Sequence, residues 1–222
     1  MSRSRPVVAI DGPSGAGKST VARTLAEALG FLYVDTGALY RCVAYLAELH
    51  GVPWDDGGRL AAIAAARDFS FAADGGLVVD GVPVGDAIRS PHVSLGASKV
   101  AQLPEVRRAL LEIQRRLGAD GGVVLEGRDI GTVVFPDAEV KIFLTATPRE
   151  RARRRFLELR GRGEEATLEQ VERDQAERDR ADSEREVSPL SRAADAYELS
   201  TDDLGVEEIV ARIAARVTAV FL

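Results

Sequence analysis

Short apolar runs alternating with longer amphipathic stretches set the pattern of this chain. Val7–Ile10, Phe31–Val34, Val123–Glu126, Val140–Leu144 and Tyr197–Ser200 read as strands. Between and beyond them, Lys18–Leu29, Ala38–His50, Pro104–Leu117 and Val206–Val220 repeat apolar residues at helical spacing. Brief apolar strands alternating with helices of this length predict an α/β fold, with a parallel sheet flanked by helices on both faces. Such folds place ligands at the carboxyl ends of their strands. Asp11, Asp35-Thr36-Gly37 and Gly127-Arg128-Asp129 each fall just past a strand.

Two segments depart from the alternation. Phe69–Ala72, Leu77–Val79 and Val82–Val84 read as short antiparallel strands, with turns at Asp74-Gly75-Gly76 and Asp80-Gly81. Pro148–Arg185 is a highly charged helical stretch whose apolar residues (Phe156, Leu157, Leu159, Leu168, Val171) are too sparse for a core. It reads either as a solvated helical hairpin laced with Glu–Arg pairs or as a mobile, arginine-studded lid. The lid is the reading favoured by the loop described next.

Gly12-Pro13-Ser14-Gly15-Ala16-Gly17-Lys18-Ser19-Thr20 spells G-x-x-x-x-G-K-S between a strand and a helix, the setting in which this pattern means a phosphate-binding loop. Gly12, Gly15 and Gly17 allow backbone conformations closed to other residues, so successive N–H groups can face an anion at a helix N-terminus. Lys18 is then expected at the β- and γ-phosphates of a nucleoside triphosphate, and the Ser19 hydroxyl on Mg²⁺. The lysine stands out because the chain has only two others, Lys99 and Lys141.

Composition narrows the class further. The 222 residues, 45% hydrophobic and 29% charged, suit one substantial soluble domain. A net charge of −6 argues against a general nucleic-acid binder. Cys42 is the single cysteine, which excludes an internal disulfide, and no Cys/His cluster offers a metal site. Met1–Pro6 has no signal-peptide core and no run approaches a membrane span, so a cytoplasmic protein is expected, and the acidic, patch-free sequence with its self-contained architecture favours a monomer. His50 and His92 lack any partner pattern for acid–base catalysis.

Beyond the loop, Asp35-Thr36-Gly37-Ala38-Leu39-Tyr40-Arg41 and Glu126-Gly127-Arg128-Asp129-Ile130-Gly131-Thr132-Val133-Val134-Phe135-Pro136 resemble bacterial cytidylate kinases. The resemblance continues through Ala97–Ala101, Val106-Arg107 and Arg178–Pro189, covering nearly the whole chain. It implies a P-loop NTPase fold with an antiparallel-sheet insert for the nucleoside monophosphate and a helical lid. The core would be about 1–58, 102–147 and 186–222, the insert about 59–101 and the lid about 148–185, in a single domain over 1–222. It also implies transfer of the γ-phosphoryl group of ATP to CMP or dCMP with Mg²⁺.

By that resemblance Arg41 and Arg128 hold the acceptor phosphate near the Thr36 hydroxyl, and Arg185 approaches phosphate from the lid. Asp129 addresses the cytosine amino group, Arg107 and Ser98 the O2 and N3 edge of the ring, and Arg178 and Asp182 the sugar. From the residues alone, Asp129 could also cap a helix or hold a metal-bound water, as could Asp11 and Asp35 in the second role. Arg151, Arg155 and Arg160 are equivalent candidates for ATP phosphates. Other small-molecule kinases share the loop, but not the G-R-D-I-G-T-V-V-F-P run. A guanine-specific switch needs N-K-x-D, and the chain contains no asparagine.

Overall fold

The apolar runs assemble into one parallel sheet of β1 (Val7–Asp11), β2 (Leu32–Asp35), β6 (Val123–Gly127), β7 (Val140–Thr145) and β8 (Tyr197–Ser200) in the order β2-β6-β1-β7-β8. This is a computed structural model that describes residues 3–221; the expected domain limits at 1 and 222 lie outside them. Strand β1 sits centrally. Its alternating side chains divide between two layers: Val8 and Ile10 join Val21, Leu25, Ile142, Leu144 and Ile213 on one face, while Val7 and Ala9 join Val34, Leu125, Ile130 and Phe135 on the other. The first layer is closed by α1 (Lys18–Leu29) and α8 (Val206–Phe221), and Leu111 and Leu117 of α5 (Pro104–Gly118) pack against the second.

Register decides where the chemistry sits. Asp11 pairs with Gly127 on one side and Phe143 on the other, and Asp35 pairs with Glu126. The polar residues ending β1, β2 and β6 therefore share one edge. Strand β2 runs one residue past the expected Val34, and α2 begins at Thr36 rather than Ala38, reaching Leu49. The cause is local: the Asp35 carboxylate accepts the Ala38 N–H and caps the helix, drawing Thr36 and Gly37 into its first turn.

Between α2 and α5 lie α3 (Gly57–Ala65), an antiparallel sheet of β3 (Phe69–Phe71), β4 (Leu77–Val79) and β5 (Val82–Pro83), a 3₁₀ turn at Gly85–Arg89, and α4 (Pro91–Val100). The two helices were not distinguished in the sequence. The α3 stretch is almost featureless alanine and glycine, and α4 is set by its Ser90 cap and Pro91. Leu60, Phe69, Leu77, Ile88 and Val93 share a single apolar cluster with Leu39 and Val43 of α2 and Leu110 of α5. The charged stretch forms a hairpin of α6 (Pro148–Gly161) and α7 (Leu168–Glu184), capped by Thr147 and Thr167. No described helix is long and apolar enough to cross a membrane.

Candidate active site

At the end of β1 the chain must turn beneath β7. A Cβ on Gly12, whose φ is +148°, would stand 2.0 Å from the Leu144 carbonyl oxygen, so only glycine lets the loop pass there. The loop then wraps onto Gly17, a left-handed residue that opens α1. Lys18 is buried, and its Nζ donates to the Pro13 carbonyl oxygen at 2.7 Å. Burial pushes its ammonium pKa well down, the Arg128 charge adds to the fall, and the Glu126 carboxylate opposes it. A phosphate would relieve that stress by supplying the anion the loop lacks.

The loop opens into a cleft of about 590 Å³ whose lining carries ten cationic side chains against five carboxylates. It gathers Ser14, Gly15, Gly17, Lys18, Ser19 and Thr20 with Thr36, Arg41, Ser98, Arg107, Arg128, Asp129, Arg178, Asp182 and Arg185. Gly12, Pro13 and Ala16 form the buried underside of the loop. Every residue expected in the phosphate loop or at the acceptor is thus placed at one cleft or in the turn supporting it.

Its arginines are held in place by carboxylates without being used up. Arg41 pairs with Asp35 at 2.7 Å, and Arg128 reaches Asp182 of α7 through Nε at 2.8 Å. Arg107 donates to Asp129, while Arg185 lies 3.6 Å from the other Asp129 oxygen and 3.7 Å from Asp182. The Asp129 side chain makes no helix cap, and its two oxygens face these arginines instead. The Nε atoms of Arg41, Arg107 and Arg178 and an Arg185 NH₂ group are buried without a hydrogen-bond partner. Burial lowers Arg178 to a pKa of about 10, with Arg128 adding to the shift. Buried donors lacking acceptors, in a region of surplus positive charge, fit phosphate oxygens. Thr36 differs from expectation in one respect: its hydroxyl already donates to the Glu126 carbonyl at 2.7 Å. A phosphate contact needs that proton to swing outward.

Two residues of importance escaped the sequence. Glu126 is buried at the end of β6, accepts a hydrogen bond from the Tyr33 hydroxyl, and lies beside the Ser19 hydroxyl. Burial raises its pKa, Asp35 adds to the rise, and Lys18 opposes it. Ser19 is exposed to the cleft. A solvent-open hydroxyl beside a carboxylate suits a hydrated divalent cation held mainly by nucleotide phosphates. Among the described residues no cluster of three His, Cys, Asp or Glu side chains offers a closed metal cage. Both Asp11 oxygens accept backbone N–H groups, from Ile130 and Gly131.

Among the lid arginines, Arg155 lines the cleft and pairs with Glu158 at 2.8 Å. Arg151 is instead buried under the loop, donating to the Ser14 carbonyl at 3.0 Å and pairing with Asp179 at 2.7 Å. Arg160 lies at a separate depression beside the α6–α7 connection. Arg154 and Arg162, which had not been singled out, do line the cleft. An arginine-rich helix gives no signal of its own for choosing among them.

The profile of the family described as cytidylate kinase matches residues 8–219. The chain belongs to the cytidylate kinase family. A family member from Pelotomaculum thermopropionicum is 52% identical over 96% of this chain and 96% of its own, and one from Desulfitobacterium hafniense is 51% identical over 93% and 90%. A solved structure of an uncharacterized protein from Eubacterium ventriosum aligns over 97% of this chain and 99% of that one, with a TM-score of 0.55 and 12% identity, a likeness of fold alone. Membership places the chain among the phosphotransferases that work on small-molecule nucleotides, with a P-loop kinase fold.

Proposed function

We propose that the protein transfers the γ-phosphoryl group of ATP to CMP or dCMP, giving ADP with CDP or dCDP. The observation that carries this reading is the cleft itself, which joins a phosphate loop at Lys18 to a buried Asp129–Arg107 pair through a corridor of incompletely paired arginines. The donor triphosphate lies along Gly12–Thr20, and Lys18 neutralises its β- and γ-oxygens. Magnesium at Ser19, with the Glu126 carboxylate beside that hydroxyl, supplies further charge neutralisation.

Arg41, Arg128 and Arg185 hold the acceptor phosphate, and Thr36 adds its hydroxyl once that proton swings. An acceptor oxygen displaces the β–γ bridging oxygen of the donor. Because the acceptor is already an anion, orientation and charge dispersal replace a general base. Asp129 accepts from the cytosine amino group, and Arg107 with Ser98 addresses the O2 and N3 edge. Uracil presents an acceptor where cytosine presents a donor, so it leaves Asp129 facing an oxygen. Arg178 and Asp182 lie at the sugar.

The hairpin 148–185 works as a lid and 59–101 as the monophosphate-binding insert. Closing them excludes water from the donor, and Arg154, Arg155 and Arg162 move onto its phosphates. The protein works as a monomer. The test is ADP release from Mg·ATP with CMP, dCMP, UMP, AMP or no acceptor. Fast turnover confined to CMP and dCMP supports the reading; ADP release indifferent to every acceptor overturns it.

A further inference from the structure

Asp11 ends β1 and immediately precedes Gly12, yet it makes no contact of the kind expected for a ligand-binding carboxylate. It is 4% exposed. Its Oδ1 accepts the Ile130 N–H at 2.8 Å and its Oδ2 the Gly131 N–H at 2.7 Å. These two residues open the π-helical turn Ile130–Val134, directly after Arg128 and Asp129. The first N–H groups of any helical turn lack acceptors within it. Here a side chain from the neighbouring strand supplies them, 119 and 120 positions away. The other end of the turn closes back on Asp129, whose carbonyl accepts from Val133 at 2.9 Å and Val134 at 3.1 Å.

The two bonds satisfy buried donors, but the carboxylate that supplies them carries a cost of its own. Among the described residues no cation pairs with Asp11. Burial raises its carboxyl to about 6 in spite of the two N–H bonds; Asp129 adds to the rise, and Lys18 opposes it weakly. A buried carboxylate raised in this way is better tolerated protonated, so at neutral pH it burdens the fold. What it provides is a fixed spacing between two loops. Gly131 leaves little room beside that contact: a Cβ there would lie 3.4 Å from Oδ2, at van der Waals distance, and 3.2 Å from Cδ of the Lys141 side chain, which covers the turn from β7.

Building on the acceptor-site reading above, we infer that Asp11 is a positioning residue. It locks the turn bearing Arg128 and Asp129 to the root of the phosphate loop, and so sets the acceptor's phosphate and base against the donor. Its loss should therefore fall on the acceptor and spare the donor loop, which Arg151 and Thr201 hold separately through the carbonyls of Ser14 and Ala16.

The experiment compares wild type with Asp11→Asn, which keeps one acceptor oxygen and sets an NH₂ against the other N–H. Initial rates are measured with CMP and UMP at saturating Mg·ATP. Affinity for the β,γ-imido analogue of ATP is measured separately. Asp11→Asn is expected to lower kcat/KM for CMP on the order of 10- to 100-fold, what one charge-assisted hydrogen bond is worth, and to raise the UMP-to-CMP ratio. Analogue affinity should stay within about threefold, because the donor loop keeps its own hydrogen bonds. A folded Asp11→Asn with unchanged CMP kinetics, or with analogue affinity falling in parallel, overturns the inference.

Should that variant not fold, Gly131→Val keeps the carboxylate and pushes the turn from it, because two γ-carbons must fit beyond a Cβ position already 3.4 Å from Oδ2 and 3.2 Å from Cδ of Lys141. The same split is expected, and unaltered acceptor kinetics in that variant would be equally decisive against Asp11. Failure of the wild type to use CMP would instead remove the functional reading, and is read from the wild-type arm alone.

Discussion

Asp129→Asn separates base reading from every other duty of the cleft. In the structure the Asp129 carboxylate is 6% exposed, bound by Arg107 on one oxygen and 3.6 Å from Arg185 on the other. Asparagine keeps the shape and one acceptor oxygen but replaces the other with a donor, and it removes the charge. Toward cytosine, a charge-assisted hydrogen bond becomes at best a neutral one, a loss of roughly 1.5–3 kcal/mol in transition-state binding. Toward uracil, the new NH₂ can donate to the ring carbonyl that the carboxylate repelled, so UMP should gain. The ratio of kcat/KM for CMP over UMP should then fall by about 10- to 100-fold from its wild-type value, since 1.4 kcal/mol is a factor of ten. The assay is ADP release at saturating Mg·ATP with each acceptor varied. Removing the partner of buried Arg107 also costs stability, about 3 kcal/mol or more. The ratio is immune to this, because both acceptors see the same population of folded enzyme. A CMP-to-UMP ratio unchanged in the variant would refute base reading by Asp129 and leave it as an arginine holder only.

Three further expectations follow from the same geometry. Lys18→Ala removes the ammonium seated within the phosphate loop on the Pro13 carbonyl and should lower kcat by at least about 10³-fold, since phosphoryl transfer depends on charge dispersal; rates within tenfold of wild type would contradict this. Arg128→Ala should raise KM for CMP or lower kcat while ATP-analogue affinity stays close to wild type, and calorimetric titration with the analogue would expose the opposite pattern. Burial tends to raise Asp182, but Arg128 and Arg178 beside it overcome that and hold its pKa below the ordinary value of 3.8. A carboxylate depressed in the folded state stabilises above its unfolded pKa and loses that contribution as pH falls through the folded one. Urea unfolding should therefore show Asp182→Asn less stable than wild type at pH 7, with the gap narrowing below about pH 4. A gap that widens in acid would reverse the sign assigned to the Arg128 pair.

The strand pattern and the glycine loop were legible because each depends on local residues alone. Val7–Ile10 followed by Gly12–Thr20 and an amphipathic Lys18–Leu29 could hardly fold otherwise, and α1 and β8 lie where their sequence places them. The start of α2 was misplaced by two residues because the cap is Asp35, which also reads as the end of a strand. Helices α3 and α4 were hidden for opposite reasons, one by small residues without an amphipathic contrast and the other by proximity to the 3₁₀ turn. The π-helical turn had no signature, since Ile130-Gly131-Thr132-Val133-Val134 is rich in β-branched residues and owes its shape to Asp11 across the sheet. Residues carrying a motif could be singled out, as Lys18, Arg41 and Arg128 were. Glu126 and Tyr33 could not, because their pairing joins strands 93 positions apart and exists only in the register of β2 with β6. The division of labour among lid arginines was likewise invisible, with Arg151 buried under the loop and Arg154 above the cleft on one helix.

One phosphoryl group is expected to pass directly from a donor on the Lys18 loop to an acceptor held by Arg41 and Arg128. Following the complete reaction of Mg·ATP with CMP by ³¹P nuclear magnetic resonance tests it most directly. The account predicts that the β-phosphate signal of CDP grows in step with that of ADP, with no inorganic phosphate beyond the background without enzyme. Growth of inorganic phosphate in place of CDP would show that water, not CMP, takes the phosphoryl group, and would contradict the account.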